Sequence, residues 1–279
     1  MLSLPRSRAA LLRQELIARN RSYATLNALP HVISYGEQPV VVYQPSECGQ
    51  YHGNFIPASY RAILGKPQWR KRLEKVHAQG RRCLPSGGGP WHELDSSVSS
   101  DALLMNIFCY PLITSRAIFC NVLGIETGSR PEFGFRPRVP LISGAIERTE
   151  IDMKLGNVLF EAKLTEADFQ VQKAELVEGY RDFREVFASR QLPRIGKSYV
   201  SYQLIRNILA AYALDLDFCA LIDARRPDLI EDWYAAVCSV RSAELRVRCK
   251  VLAWQELAGC LPAALQSFLN VKYGIIPAG

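Results

Sequence analysis

Between residues 145 and 164 polar and apolar positions alternate. "AIERTEIDMKL" and "NVLFEAKLT" read as two strands meeting at Gly156-Asn157. Downstream the period changes. Glu166 to Ser189 predicts a long polar helix and Ser198 to Leu214 a more apolar one. "DFCALIDA" (217–224) is a short, mostly apolar run of the kind found in a buried strand. A helix over Asp228 to Val240, a strand over "LRVRCKVLAW" (245–254) and a last helix over Pro262 to Leu269 complete the series. Helix, hairpin, helix, strand, helix, strand predicts an α/β domain with a central mixed β-sheet flanked by helices.

Upstream, Ser99, Ser100 and Asp101 suit the N-cap of a helix over "ALLMNIFCYP", and Pro111 to Gly124 reads as a second apolar helix ending at glycine. Pro67 suits the first turn of a helix in "KPQWRKRLEKVHAQGRR". The seam is "RRCLPSGGGPWHELDSS" (81–97), where two prolines and three glycines forbid helix and strand alike. The expected organisation is an N-terminal basic extension over 1–98 and a core over 99–279.

The chain has 279 residues, 48% of them hydrophobic, enough for a sizeable core. Its longest apolar stretches fall short of the roughly 18 residues that cross a bilayer, which predicts no membrane partner. The first 24 residues hold five arginines and one acid, as organellar presequences do. No cleavage motif follows, so an amphipathic surface helix and a cytoplasmic location are expected. Eight cysteines are scattered without a C-x-x-C, several inside apolar runs, as free thiols serving as small hydrophobes are. His77, Cys83 and His92 match no zinc-ligand spacing.

A two-residue loop at Gly156-Asn157 makes facing residues sum to 313, placing Asp152 opposite Glu161 and Glu150 opposite Lys163. Ile151, Met153, Val158, Phe160, Ala162 and Leu164 then point to the other face and supply core. Two acids directly across a strand pair, with Cβ atoms about 5 Å apart, destabilise it unless something compensates. A divalent cation would do so, and carboxylates are the hard oxygen ligands Mg²⁺ prefers. Lys163, two residues on from Glu161, would stand beside the metal and its water. These are the parts for phosphodiester hydrolysis. The bland alternative is a solvated strand pair with a Glu150–Lys163 surface ion pair, worth under about 1 kcal/mol.

The arrangement D-x8-E-x-K on consecutive strands, followed by helix and strand, resembles the PD-(D/E)XK nuclease superfamily. Within it, "YHGNFIPASY" (51–60), "PQWRKRLEKVH" (67–77), "WHELDSSVSSDALLMNIFCYP" (91–111) and "TEIDMKLGNVLFEAKLTEADF" (149–169) are similar to blocks of a restriction-endonuclease-like bacterial group. The resemblance implies Asp152 and Glu161 as metal ligands, the Ala162 carbonyl as a third, Lys163 as the catalytic lysine, and Mg²⁺ as cofactor with Mn²⁺ able to substitute. The motif's leading proline is absent, since Ile151 precedes Asp152. Many members add an acid from the helix before the hairpin, for which Glu93, Asp95 and Asp101 all qualify. "YQLIRN" (202–207) is similar to a glutamine-bearing helix of some branches, which makes Gln203 a further candidate. Products with 5′-phosphate and 3′-hydroxyl ends are implied.

Charge adds a polyanion partner. Net charge is +7, and Arg61 to Arg82 hold eight Lys/Arg against one acid, Glu74. Arg70, Lys71, Arg72, Lys75, Arg81 and Arg82, interleaved with Tyr60 and Trp69, form a patch suited to backbone phosphates. A basic helix face is as often mere solvated surface. Together these features predict a metal-dependent DNA endonuclease of the restriction or defence type. The alternative is a catalytically silent nucleic-acid-binding or interaction subunit with the same fold. A double-strand break commonly requires two active sites, which a homodimer would supply, but the sequence does not give the oligomeric state. Nucleotide-binding, zinc-protease and serine-hydrolase motifs are absent.

Overall fold

The computed structural model describes residues 7–35, 39–76 and 91–278. The chain forms two compact units, one of residues 1–123 and 254–279, the other of residues 124–253. The expected boundary after residue 98 falls inside the first of them.

In the first unit the helix Arg8–Leu26 is capped by the Ser7 hydroxyl and buries Leu12, Leu16, Asn20 and Ala24, a stripe at four-residue spacing. It packs on the helix Ala263–Tyr273, near the two-stranded sheet of β1 (His31–Ile33) and β2 (Val41–Tyr43). The expected helix after Pro67 is a short turn, Pro67–Arg70, continued by a 3-10 turn over Lys71–Glu74, with Trp69 buried. Ser99 caps the helix Ser100–Phe108 as expected, its hydroxyl accepting from the Ala102 N–H. The helix expected over Pro111–Gly124 is a 3-10 turn, Ile113–Ser115, and then the helix Ala117–Leu123. Gly124 ends it at φ +69°.

The second unit carries, in chain order, β3 (Pro131–Phe135), β4 (Val139–Pro140), β5 (Ile146–Glu147), β6 (Ile151–Leu155), β7 (Val158–Ala162), β8 (Gln172–Lys173), β9 (Arg194–Ile195), β10 (Ser198–Tyr199), β11 (Asp217–Ile222) and β12 (Cys249–Ala253). Five of them form the central mixed sheet, in the order β12-β11-β7-β6-β3. β7 is parallel to β11 and β11 to β12, while β6 is antiparallel to both β7 and β3. The helix Tyr202–Leu214 packs on β7 and β11, and the helix Pro227–Cys238 on β11 and β12. Fully buried Leu159, Phe218, Ala220, Ile205 and Ile208 join sheet and helices in one apolar core.

The hairpin has the register expected. Met153 faces Phe160, Lys154 faces Leu159 and Leu155 faces Val158, so pairs sum to 313. Gly156 enters the loop at φ +59°, while Asn157 keeps a negative φ. The long helix expected over Glu166–Ser189 does not form. Gln170 takes a left-handed φ of +64°, β8 pairs with β10, and only two single turns, Ala174–Val177 and Phe183–Val186, are helical. Val177, Tyr180, Phe183 and Phe187 keep helical spacing because successive turns plug them into the core. The last predicted strand is shorter too: Ser242 caps a turn over Ala243–Val247, and β12 begins only at Cys249.

No helix among the described residues is long and apolar enough to cross a membrane. The described cysteines are all free, five of them buried.

Candidate active site

The site lies at one edge of the central sheet of the second unit. β7 ends there with Ala162, β11 ends there with Ile222, and antiparallel β6 begins there with Ile151. Carboxyl ends of parallel strands are where open α/β sheets place their ligands. The Lys163 N–H donates to the Leu221 carbonyl at 2.8 Å and carries the β7–β11 pairing one residue past the strand.

The structure brings Asp152, Glu161 and Lys163 together. Lys163 Nζ donates to Glu161 Oε1 at 2.6 Å, and the Asp152 carboxylate accepts the Ala162 N–H at 2.8 Å. The acid face is not a solvated one, as the bland alternative requires. Glu161 is 2% exposed and Lys163 5%, because β7 is a central strand covered on both sides. The ion pair that forms is Glu161–Lys163, and burial puts it outside the regime of weak surface pairs.

Burial alone would push the Glu161 carboxyl up. Lys163 and Arg206 outweigh it, with hydrogen bonds from Lys163 and Asn207, and the net shift is downward, so Glu161 is a carboxylate. Burial would likewise lower the Lys163 ammonium, but Glu161, Glu166 and Asp152 push it up to about 12. The pair is therefore charged on both sides at neutral pH.

Several residues that sequence reasoning missed hold this pair. Asn207, fully buried on the helix Tyr202–Leu214, donates to Glu161 Oε2 at 2.8 Å. The Arg206 guanidinium, 3.9 Å from the same oxygen, fixes the Asn207 amide by donating to its Oδ1 at 2.9 and 3.1 Å, and reaches the Glu150 carbonyl at 3.2 Å. Fully buried Arg226 donates to the carbonyls of Glu166 (2.7 Å) and Ala167 (3.0 Å) and so clamps the chain that leaves Lys163. Asp223, fully buried just past β11, pairs with Arg225 at 2.6 Å. The signal for Arg206 and Asn207 was present, as two polar residues inside the apolar run "LIRNIL".

Gly134 belongs here too. Phe133 faces Met153 and Phe135 faces Ile151, so Gly134 lies opposite Asp152, at φ +67°. A mid-strand residue in that conformation has to be glycine, and it leaves bare backbone beside the carboxylate.

Gln203 sits one helical turn before Asn207, on the same face. Its backbone N–H donates to the Phe169 carbonyl, while its buried Oε1 has no hydrogen-bond partner among the described residues.

Glu93, Asp95 and Asp101 lie in the first unit. Asp101 accepts from Arg72 and Lys75, each at 2.9 Å, and Lys75 also pairs with Glu93 at 3.1 Å. Burial would raise the Asp101 carboxyl, but Lys75 and Arg72 bring it below its ordinary range. Asp95 accepts from the His92 backbone N–H and bonds the His52 ring, both at 3.2 Å. Two cations of the expected basic patch, Arg72 and Lys75, are thus turned onto acids, whereas Arg70 and Lys71 are exposed. Arg81, Arg82, His77 and Cys83 lie outside the described residues.

Two carboxylates and a main-chain carbonyl form a hard-oxygen donor set of the kind Mg²⁺ takes while keeping water and phosphate in its remaining positions. Among the described residues no group of three or more His, Cys, Asp and Glu side chains is clustered for a metal, so any ion here would rely on that small set. Asp152, Glu161 and the Ala162 carbonyl fit it.

Residues 25–274 match the family described as Restriction Endonuclease associating with ARP. The chain belongs to this family. No curated protein and no solved structure matches it. The five-stranded mixed sheet flanked by helices is consistent with a restriction-endonuclease-like fold.

Proposed function

We propose that this member of the family is a metal-dependent endonuclease that hydrolyses DNA phosphodiester bonds, of the restriction or defence type, and that it belongs with the PD-(D/E)XK nucleases. The observation that carries the reading is the buried Glu161–Lys163 pair on the central strand, beside Asp152. Burying two charges costs several kcal/mol per ion before their attraction offsets it. A hydrophobic pair would stabilise this strand at least as well, so the charges point to chemistry.

Asp152, Glu161 and the Ala162 carbonyl would hold Mg²⁺ or Mn²⁺, which when bound supplies Lewis-acid polarisation of the phosphate and a more acidic water. Lys163 presents an ammonium to the same place, where it attracts a scissile phosphate and stabilises the negative charge that builds on it. Asn207 and Arg206 orient Glu161 through its second oxygen. Arg226 fixes the backbone that follows Lys163. The family description adds association with ARP, and a partner of that name belongs to the same proposal.

A panel of labelled DNA and RNA substrates incubated with the pure chain tests the reading. DNA cleavage with Mg²⁺ or Mn²⁺, abolished by EDTA, is the expected result. Cleavage that persists in EDTA, or of RNA alone, contradicts it.

A further inference from the structure

Thirty-eight residues separate Lys163 from the helix that carries Asn207, and part of that span builds a small sheet of its own, β8-β10-β9. Its root is beside the site. The Phe169 ring lies 5.4 Å from Lys163 Nζ, the Phe169 and Gln170 carbonyls accept from the first turn of the Tyr202 helix, and β8 begins two residues later.

Pairing fixes what each face presents. Gln172, Tyr199 and Arg194 form one row across the three strands, and Lys173, Ser198 and Ile195 the other. The first row is the anchoring side. Tyr199 is fully buried against Phe183, its hydroxyl donates to Glu178 at 2.8 Å, and Arg194 lies over its ring while pairing with the same Glu178. The second row therefore faces away from the core. Lys173 is exposed, and Ile195 is 67% exposed, an unusual state for a β-branched apolar residue on a strand. The two-residue loop beyond it, Gly196-Lys197, puts Lys197 at the tip, with Gly196 at φ +59°. Among the described residues Lys173, Arg190 and Lys197 have no acid within ion-pair distance, and 190–197 contains three cations and no acid.

We propose that this small sheet is a DNA-contacting element: Lys173 on the β8 edge and Lys197 at the β9-β10 turn hold backbone phosphates of a duplex, and Ile195, on the β9 edge beside that turn, meets base edges in the groove. The β9-β10 hairpin is a two-stranded ribbon of the kind the major groove admits, and it carries an exposed apolar side chain next to the cation at its turn. The anchoring row makes the ribbon stiff, so it holds a fixed position relative to Asp152 and Lys163. Its choice of DNA as partner rests on the nuclease reading.

The test uses the full chain carrying Asp152→Asn, so that bound DNA stays intact, and follows the anisotropy of a labelled DNA duplex over a salt series. Adding Lys173→Ala and Lys197→Ala weakens binding roughly tenfold at moderate salt and lowers the slope of log K against log salt by roughly 2, one counterion per lost phosphate contact. The Lys→Arg versions restore both. Ile195→Ser weakens binding with the slope unchanged, since it neutralises no phosphate. An unchanged affinity and slope in the double alanine variant overturns the inference, as does a chain that binds duplex RNA but no duplex DNA. The two readings fail separately. A parent chain that binds through the ribbon yet never cuts with Mg²⁺ or Mn²⁺ removes the nuclease and keeps the ribbon. A parent that cuts, with an alanine variant that binds as tightly, removes the ribbon alone.

Discussion

Both oxygens of Glu161 are engaged, one by Lys163 and one by Asn207, and Arg206 stands behind Asn207, donating to its Oδ1. Truncation by Asn207→Ala takes from the buried Arg206 guanidinium the amide oxygen it hydrogen-bonds and lets Glu161 turn. The expected cost is about 2 kcal/mol of stability, read from the urea midpoint, together with a fall in cleavage rate. A midpoint equal to the parent's would show that Arg206 finds other partners. A second buried cation makes a contrast. Lys272 is fully buried among the rings of Tyr43, Tyr23 and Tyr273, with the neutral Asn20 amide oxygen as acceptor, and burial holds its amine well below the ordinary lysine range. Below that ordinary value the unfolded lysine binds a proton that the folded one does not, so this group's contribution to stability rises with pH. Lys272→Met removes the penalty and leaves Asn20 satisfied by the Tyr43 hydroxyl at 2.9 Å. Its melting temperature should exceed the parent's most at low pH, with the gap closing as pH rises. Parallel curves would contradict the assignment.

The hairpin decides which side chains meet. Slipping the register by one residue would send Asp152 and Glu161 to opposite faces, so the turn at Gly156 carries chemistry as well as chain reversal. Gly156→Ala puts a Cβ at φ +59° and within 3.2 Å of Ser129 Oγ; a loss of roughly 1–2 kcal/mol is expected, measured as a lower thermal midpoint. An unchanged midpoint would mean that the loop has room to rearrange. The same element shows what the sequence could tell. Turn chemistry and two-residue periodicity are local, so the pairing sum of 313 was legible from 20 residues of chain. Burial of the acid face was not, because β11, the strand that makes β7 central, begins 55 residues after β7 ends. Residues 166–189 misled for a related reason. Successive turns that drop apolar side chains into a core at helical spacing reproduce the i, i+3, i+4 pattern of a continuous helix, and only the pairing of β8 with β10 distinguishes them.

At the scale of the molecule, each of the two units has its own use of charge. In the first, Arg72 and Lys75 are absorbed by Asp101 and Glu93, so the cation run that dominates the sequence is only partly available to a polyanion. Composition alone could not show that, since one acid comes from the end of the seam and the other from beyond it. In the second, the candidate site and an exposed basic ribbon belong to one stretch of chain, Asp152 to Asn207, and the family match spans both units. In the proposed function Asp152, Glu161 and Lys163 work as one hydrolytic site. Its most direct test is the single-turnover rate of plasmid cleavage in Mg²⁺ by the parent chain and by Asp152→Asn, with duplex binding measured alongside. With a single hydrolytic site, Asp152→Asn lowers the rate by at least about a hundredfold and leaves binding within a few-fold of the parent's. An Asp152→Asn chain that cuts as fast as the parent would contradict it.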